Sequence, residues 1–525
     1  MKAFLERHVK QIRGVLSGLD RLLFRGTVHG LSYPQGATTF LCQAGIKFVD
    51  FGGYVKDLSQ RVTAATLAWA KGEGISRNHL HSTRISKQEL AEAERQRHPR
   101  RTGLIATYTS VEPCYTYELR KAPNSHWLQL ETARRPGLQV YHYFQHEQFG
   151  LMHVRLSTWF PFDVHVCLNG REWLARQMKA SKIRFRRFDN SFAWLSDWEA
   201  AQQLANEQLR TSWCEVLDGL MLQVHPLHTE IFAPPLERDY YWMVAQSEWA
   251  TDVTFRSREY MQRLAGRVIR HGIATYGPLD VVRFLGKKPR SVQNVVSNVY
   301  EHEEGTRIKH WHNDNSLKAY DKGPNLRFEA TINNPSDLKA FRPRQADLDG
   351  PLVLQPLRKS VADTQLRAEV SQAAVNRMMD AYAATDSTES LGELIAPLCK
   401  PVTVPGRPQP DGTTSKPRRH RALQPLNPHD ADLLVAITRP EFAQNGLRNR
   451  DLCQFLYSTP PADAADSRRR CAAISRQLLL LRAHGLLNKV PRTHRYVVPP
   501  SAHKTITTLL AARNANAQQL TQIAA

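Results

Sequence analysis

From Ser467 the chain reads SRRRCAAISRQLLLLRAHGLLNKVPRTHRYVV, and no other stretch restricts the fold as tightly. Residues 467–484 carry Ile474, Leu478 and Leu481 at helical spacing, which predicts a long helix with Ser467 as N-cap and Gly485 as its left-handed stop. LLNKV and YVV then flank the basic turn 491–495, the pattern of two short strands about a positive tip. Upstream, residues 430–438 and 449–457 predict two shorter helices, the second with Asn449 as N-cap. Three helices followed by a hairpin define a small unit over residues 426–505.

The polar side of the long helix carries Arg468, Arg469, Arg470, Ser475, Arg476 and Gln477, and the turn carries Arg492, His494 and Arg495. Arg and Gln are the side chains that pair with guanine and adenine edges in the major groove, and a basic hairpin tip suits phosphates or the minor groove. The whole chain has a net charge of +22 and a pI near 9.8, and roughly half of that excess lies in residues 401–525. Such a balance draws a protein towards polyanions, nucleic acid first among them. The segment from Ser475 to Val498 resembles the winged helix of MarR-like bacterial regulators. That resemblance implies a helix-turn-helix unit with duplex DNA as partner and leaves room for a homodimer. Winged helices also mediate protein contacts, and that alternative stays open here.

Residues 400–425, rich in Pro, Gly and basic side chains, read as a linker, and 506–525 as a tail. Before the linker, residues 1–100 read as mainly helical: Leu5, Val9, Ile12, Val15, Leu16 and Leu19 recur at three- and four-residue steps. Residues 101–399 read as a mixed body, in which alternating segments from Gly103 onward predict an antiparallel meander, with further helices over 195–223 and 256–271. The fold class is therefore α+β, a large mixed body plus a small C-terminal unit. No repeat with a period of 20 to 50 residues is visible. Seven scattered cysteines, with no C-x-x-C pair, argue against a disulfide framework or a cysteine zinc site. Without a signal-peptide pattern or a long apolar run, the expectation is a soluble cytoplasmic protein without a membrane partner.

Within the body, RIKHWHNDNSLKAYDKGPNLRFEATINN, residues 307–334, predicts paired strands across the turn 322–325, which brings Tyr320 close to Glu329. Residues Tyr320, Asp321, Lys322, Arg327, Phe328 and Glu329 resemble the Y-D-K, turn, R-F-E pattern of rolling-circle replication initiators. That resemblance implies a DNA-nicking endonuclease with Tyr320 as nucleophile, Glu329, Asp321 and Lys322 as its helpers, and Mg²⁺ or Mn²⁺ as cofactor. His310 and His312 have the spacing that puts two imidazoles on one strand face, as a metal site requires. The plainer reading is a half-buried strand tyrosine, a Glu329 paired with Lys318 or Arg327, and a His-Trp-His loop. Asp20, Glu248 and Asp252 are open to the same two readings, metal ligand or ion pair, and so are His153 and His165 as ligands or ordinary strand residues. No P-loop, dinucleotide fingerprint, H-E-x-x-H or G-x-S-x-G is present.

The order LDRLLFRG (19–26), FGLMHVRL-WFPF-V-NGREWLARQ (149–177), YYW (240–242), YDK-LRFE (320–329) and a MarR-like end resembles an uncharacterised bacterial protein family, which brings no activity with it. The expectation is a DNA-binding protein, of mobile-element type, that nicks or processes DNA in its body after winged-helix targeting. The alternative is a transcriptional regulator with a non-catalytic sensing body, and RNA processing is a third, less favoured class.

Overall fold

The computed structural model describes residues 1–121, 127–232, 240–287, 294–302, 305–344, 347, 350–383, 391–406, 415–439, 442, 446–457, 459–491 and 493–515. Arg492 lies outside them. The chain is α+β. After a short helix α1 (Lys2–His8) comes β1 (Ile12–Val28), then α2 (Pro34–Gln43), α3 (Phe51–Gly72), an edge strand β2 (Arg77–His79) and α4 (Lys87–Arg97). A four-stranded meander follows: β3 (Gly103–Lys121), β4 (Leu128–His146), β5 (Gly150–Ser157) and β6 (Val164–Asn169). Then come α5 (Gly170–Ala180), the hairpin β7 (Phe185–Phe188) and β8 (Ser191–Leu195), and helices α6 (Trp198–Glu207), α7 (Trp213–Val224) and α8 (His228–Phe232).

The pattern then recurs. A long strand β9 (Tyr240–Phe255) leads through α9 (Arg258–Thr275) and α10 (Pro278–Phe284) to a second meander, β10 (Val295–His302), β11 (Gly305–His312), β12 (Asn315–Lys322) and β13 (Asn325–Ile332). All but β7 and β8 join one sheet of order β10-β11-β12-β13-β9-β1-β6-β5-β4-β3-β2. Outward from the antiparallel β1–β9 seam, each half runs long strand, last meander strand, then the meander in reverse. The body is an internal duplication of strand order, joined through its two long strands.

One face of this sheet carries the cores. Leu22, Phe24, Val154 and Val166 pack with α3 and α7 in the first half. Ile308, Leu317, Ala319 and Phe328 pack with α9 and α11 (Thr364–Tyr382) in the second. The other face is covered at one end by α4 and along another part by α5, β7, β8 and α6. Polar side chains line what lies between.

The helical reading of the N-terminus is corrected: the helix stops at His8, and Ile12–Val28 is a strand in the middle of the sheet. Two forces override the helical spacing. Both faces of this strand are covered, so apolar residues on either side satisfy a strand as well as a helix. Gly14 is also required, because a Cβ there would lie 2.1 Å from the Trp198 ring. The helix read over 195–223 is in fact two, α6 and α7, separated by a 3-10 turn.

After β14 (Lys339–Arg342), β15 (Val353–Pro356), α11 and α12 (Leu391–Ile395), the segment read as a linker forms a small hairpin, β16 (Val402–Val404) with β17 (Arg418–His420). The C-terminal unit then packs α13 (Pro428–Ile437), α14 (Asn449–Leu456), α15 (Ala464–Ala483) and α16 (Pro500–Asn514) about Leu434, Leu452, Ile474, Leu478, Leu481 and Ile506. Between α15 and α16, β18 (Asn488–Lys489) pairs with β19 (Tyr496–Val497), and Leu447 forms an isolated bridge to Tyr496. No helix among the described residues is long and apolar enough to cross a membrane.

Candidate functional site

Side chains directly opposite on neighbouring strands share a face, so register alone assembles the polar groups of the open face. One row runs Trp311, Ser316, Thr331, Glu248, Arg21; the next runs Lys309, Lys318, Glu329. A third runs Arg307, Tyr320, Arg327. The hairpin that sets the β12–β13 register turns through Gly323, whose φ of +66° a residue with a Cβ adopts only under strain.

Tyr320 is half-buried, and its hydroxyl donates to Glu329 Oε2 at 2.9 Å. Lys318 is ion-paired to Glu329 Oε1. Burial pushes the Glu329 carboxyl up, but the Lys318 ammonium and the two hydrogen bonds outweigh it and hold the group at about 2. Glu248 is held less firmly: Gln246 Nε2 donates to its Oε1 at 3.1 Å, and Arg21 stands 3.9 Å away and is 59% exposed. Burial, and then the Glu329 charge, push Glu248 up to about 7. The face therefore holds one carboxylate fixed as the anion and a second poised to carry a proton near neutrality, the pairing that separates base from acid. Burial and the same Glu329 charge raise the Tyr320 phenol well above its ordinary value.

Beneath this cluster Arg327 is fully buried and donates to both oxygens of Asp252, at 2.6 and 2.8 Å, and to Asp20 Oδ1 at 3.1 Å. Arg171 reaches Asp252 at 3.3 Å and the Ala250 carbonyl at 2.8 Å. A β-bulge between Leu19 and Arg21 turns both Asp20 and Arg21 towards this face. Asp20 and Asp252 are thus ion-pair residues. Lys322 pairs with Asp189 at 2.7 Å and stands on the Tyr320 face, whereas Asp321 points the other way, beside Gly305. Of the four residues taken from the initiator pattern, Tyr320 and Glu329 meet directly, Lys322 is nearby and Asp321 is apart.

His310 and His312 do lie on a strand and on one face, but it is the helix-covered face, in the row of Leu317. Both nitrogens of His310 are engaged, Nδ1 with Ser297 Oγ and Nε2 with Tyr382 Oη, each at 2.7 Å. His312 Nδ1 faces Lys287 Nζ at 3.2 Å. Two imidazoles so occupied, one by an ammonium, do not fit a metal, and no cluster of three metal-ligating side chains occurs among the described residues. His153 stacks near Tyr143, and His165 lies beside it on β6; burial depresses both, to about 4 and about 3, so both are neutral strand residues.

In the C-terminal unit α15 begins earlier than Ser467, with Asp463 capping the Asp466 amide, and α14 is capped from Arg448 rather than Asn449. Asn449 instead donates to the Cys471 carbonyl and to Ser475 Oγ, both at 2.8 Å, which sets α14 across the middle of α15. Ile474, Leu478 and Leu481 are buried, while Arg468, Arg469, Ser475 and Arg476 are exposed. Arg469 and Arg470 both reach Asp466, at 2.7 Å, and Arg470 also stacks on Tyr457. Gln477 is half-buried against His429, His494 is exposed at the hairpin tip, and Arg495 is half-buried.

Asp430 anchors this unit to the preceding hairpin: Arg421 donates to its two oxygens at 2.6 and 2.7 Å, and the Gln424 amide at 2.8 Å. Burial acts upward on this carboxyl, but Arg421 and the amide hold it at about 2. The folded-state value lies below the unfolded one, so the stabilisation is present above the ordinary aspartate range and fades as pH falls through about 2. Asp430→Asn is expected to cost the unit about 1.5–3 kcal/mol at pH 7, read as a lower melting midpoint, and much less at pH 2. An equal loss at both values would show that the charge is not what matters.

Arg307 and Lys309, on the same face as Tyr320, escape a sequence reading focused on the two histidines. Their signal is the alternation R-I-K-H-W-H, which puts Arg307, Lys309 and Trp311 on one face and the histidines on the other. Comparison with protein-family models, curated proteins and solved structures gave no match.

Proposed function

We propose that the chain is a DNA-binding protein whose C-terminal unit acts as a winged helix, with α15 in the major groove and the β18–β19 hairpin on the backbone. The observation that carries this reading is the division of α15: Ile474, Leu478 and Leu481 are buried, and Arg468, Ser475 and Arg476 face solvent on its other side. Arg476 has no carboxylate partner among the described residues, so its guanidinium is available for a guanine edge or a phosphate. The order three helices, hairpin, with Leu447 bridged to Tyr496 of the hairpin, is the order such units use. In an electrophoretic shift assay Arg476→Glu is expected to weaken duplex binding roughly ten- to hundredfold, the scale of one lost base contact plus a reversed charge. Unchanged binding would remove the assignment.

A second reading, that the body nicks the DNA so located, is favoured by the Tyr320–Glu329 hydrogen bond. The phenol oxygen would attack phosphorus and pass its proton to Glu329, while the departing sugar oxygen takes a proton from Glu248. A phosphate seated on Lys318 would draw that ammonium away from Glu329 and make the carboxylate a better base. A regulator with a non-catalytic body is the outcome if DNA is bound and never cut.

A further inference from the structure

We propose that the outer part of the sheet face, on strands β10 to β12, is a track for single-stranded DNA, with bases stacked on Trp311 and Tyr300 and phosphates held by Arg307, Lys309 and Lys318. This rests on the DNA reading above and names the form of DNA that the body takes.

The register builds the track. Tyr300, Arg307 and Tyr320 lie in one row, Asn298, Lys309 and Lys318 in the next, and Val296, Trp311 and Ser316 in the third. Successive rows are about 6.5 Å apart, two residues of strand rise, so cation and aromatic side chains interleave along a path three strands wide. β10 is the edge strand, and Val296 on it is exposed.

The charge is compensated only in part. Lys318 is neutralised by Glu329, but neither Arg307 nor Lys309 has a carboxylate partner among the described residues. Each rests on an aromatic ring instead, Lys309 at 3.7 Å from the Trp311 centroid and Arg307 at 5.6 Å from that of Tyr300. Burial, and then Lys318 and Arg307, lower the Lys309 ammonium to about 8 against the opposing pull of Glu329 and Glu248, so the neighbouring cations outweigh the carboxylates. A phosphate on Arg307 and Lys309 would relieve that crowding.

The path ends in an open depression of about 590 Å³, where Val296 and Trp311 supply apolar lining and Asn294, Asn313, Asn334, Asp314 and Asp337 supply the polar lining. Amides beside an indole suit the edge and the face of one unstacked base. In a duplex those faces are already stacked, whereas a single strand offers a face with every nucleotide. The same path delivers a phosphate to Lys318 and hence to Tyr320.

The test uses the full chain with a fluorescein-labelled oligodeoxythymidylate of about 15 nucleotides and, in parallel, a labelled blunt duplex, both read by fluorescence anisotropy. Trp311→Ala, and separately the pair Arg307→Gln with Lys309→Gln, are expected to weaken oligonucleotide binding about tenfold or more while duplex binding stays within about twofold. Arg476→Glu should do the reverse. Should Trp311→Ala fold poorly, the double glutamine variant, which alters only half-exposed cations, carries the test. Oligonucleotide affinity unchanged in the double variant, or lost only with Arg476→Glu, overturns the track, and tighter binding of oligouridylate overturns the choice of DNA. If the wild-type chain ignores duplex yet loses the oligonucleotide in the double variant, the track stands and the winged-helix reading falls.

Discussion

Arg327→Leu is expected to cost the body about 3–5 kcal/mol, read as a lower denaturant midpoint of the full chain, because it strands two buried carboxylates. Arg327 is fully buried, and its fork joins β13 to Asp252 on β9, to Asp20 in the β1 bulge and to the Asn190 carbonyl in the β7–β8 turn. It therefore ties the duplication's two long strands to each other and to the hairpin that covers one side of the Tyr320 cluster. Arg171 is left within ion-pair distance of Asp252, at 3.3 Å, and it cannot reproduce the bidentate pair. Arg327→Lys keeps the charge but loses the fork, so an intermediate loss is expected. Burial acts upward on the Asp252 carboxyl, but Arg327 and Arg171 bring it below its ordinary value. That contribution is present above the ordinary aspartate pKa and is lost as pH falls beneath it, so the cost of the variant should shrink in acid. A loss below about 1 kcal/mol for the leucine variant at pH 7 would contradict a desolvated network.

What was legible in the sequence depended on whether one residue's environment could be read from its neighbours. The meander from Gly103 and the hairpin at 315–332 announce themselves because alternation of period two, broken by Gly323-Pro324, has few other solutions. From there the meeting of Tyr320 with Glu329 follows, and so does the pair with Lys318, one of the two partners, Lys318 or Arg327, that the plainer reading of the hairpin offered; both hold at once. Ile12–Val28 was not legible. Its apolar residues fit a helix, and the reason they form a strand, Trp198 over Gly14 and β9 alongside, lies about 180 to 240 residues away. The duplication was hidden for a related reason: it repeats strand order over most of the body, not side chains at a short period. Glu248 was open to two readings, ligand or ion pair, and proves to be neither in full, because Arg21 is exposed and 3.9 Å away and the Lys318 ammonium is engaged by Glu329. His310 and His312 kept the strand spacing but fell on the covered face, which no local pattern decides.

If the body nicks DNA as proposed, Tyr320→Phe is expected to reduce nicking of supercoiled DNA by at least a thousandfold, since it deletes the attacking oxygen and leaves the ring, with little change in duplex binding. Glu329→Gln should come close to it: the amide still accepts from the hydroxyl but takes no proton, and Lys318 loses its counter-charge. The third variant separates chemistry from architecture. Glu248 sits at about 7, raised by burial and by Glu329, and carries the proton below that value. If it is the donor to the departing oxygen, wild-type nicking falls as pH rises through about 7, and Glu248→Gln gives a slower enzyme whose rate no longer bends there. Removing the Glu329 charge should also lower the inflection in Glu329→Gln, because that charge helps to hold the proton on Glu248. A wild-type profile flat from pH 6 to 8, with cleavage intact, would assign the proton to another group. Bound DNA that stays uncut across this range by wild type and variants alike would leave the body as a sensing surface and Tyr320 as a strand tyrosine held by Glu329.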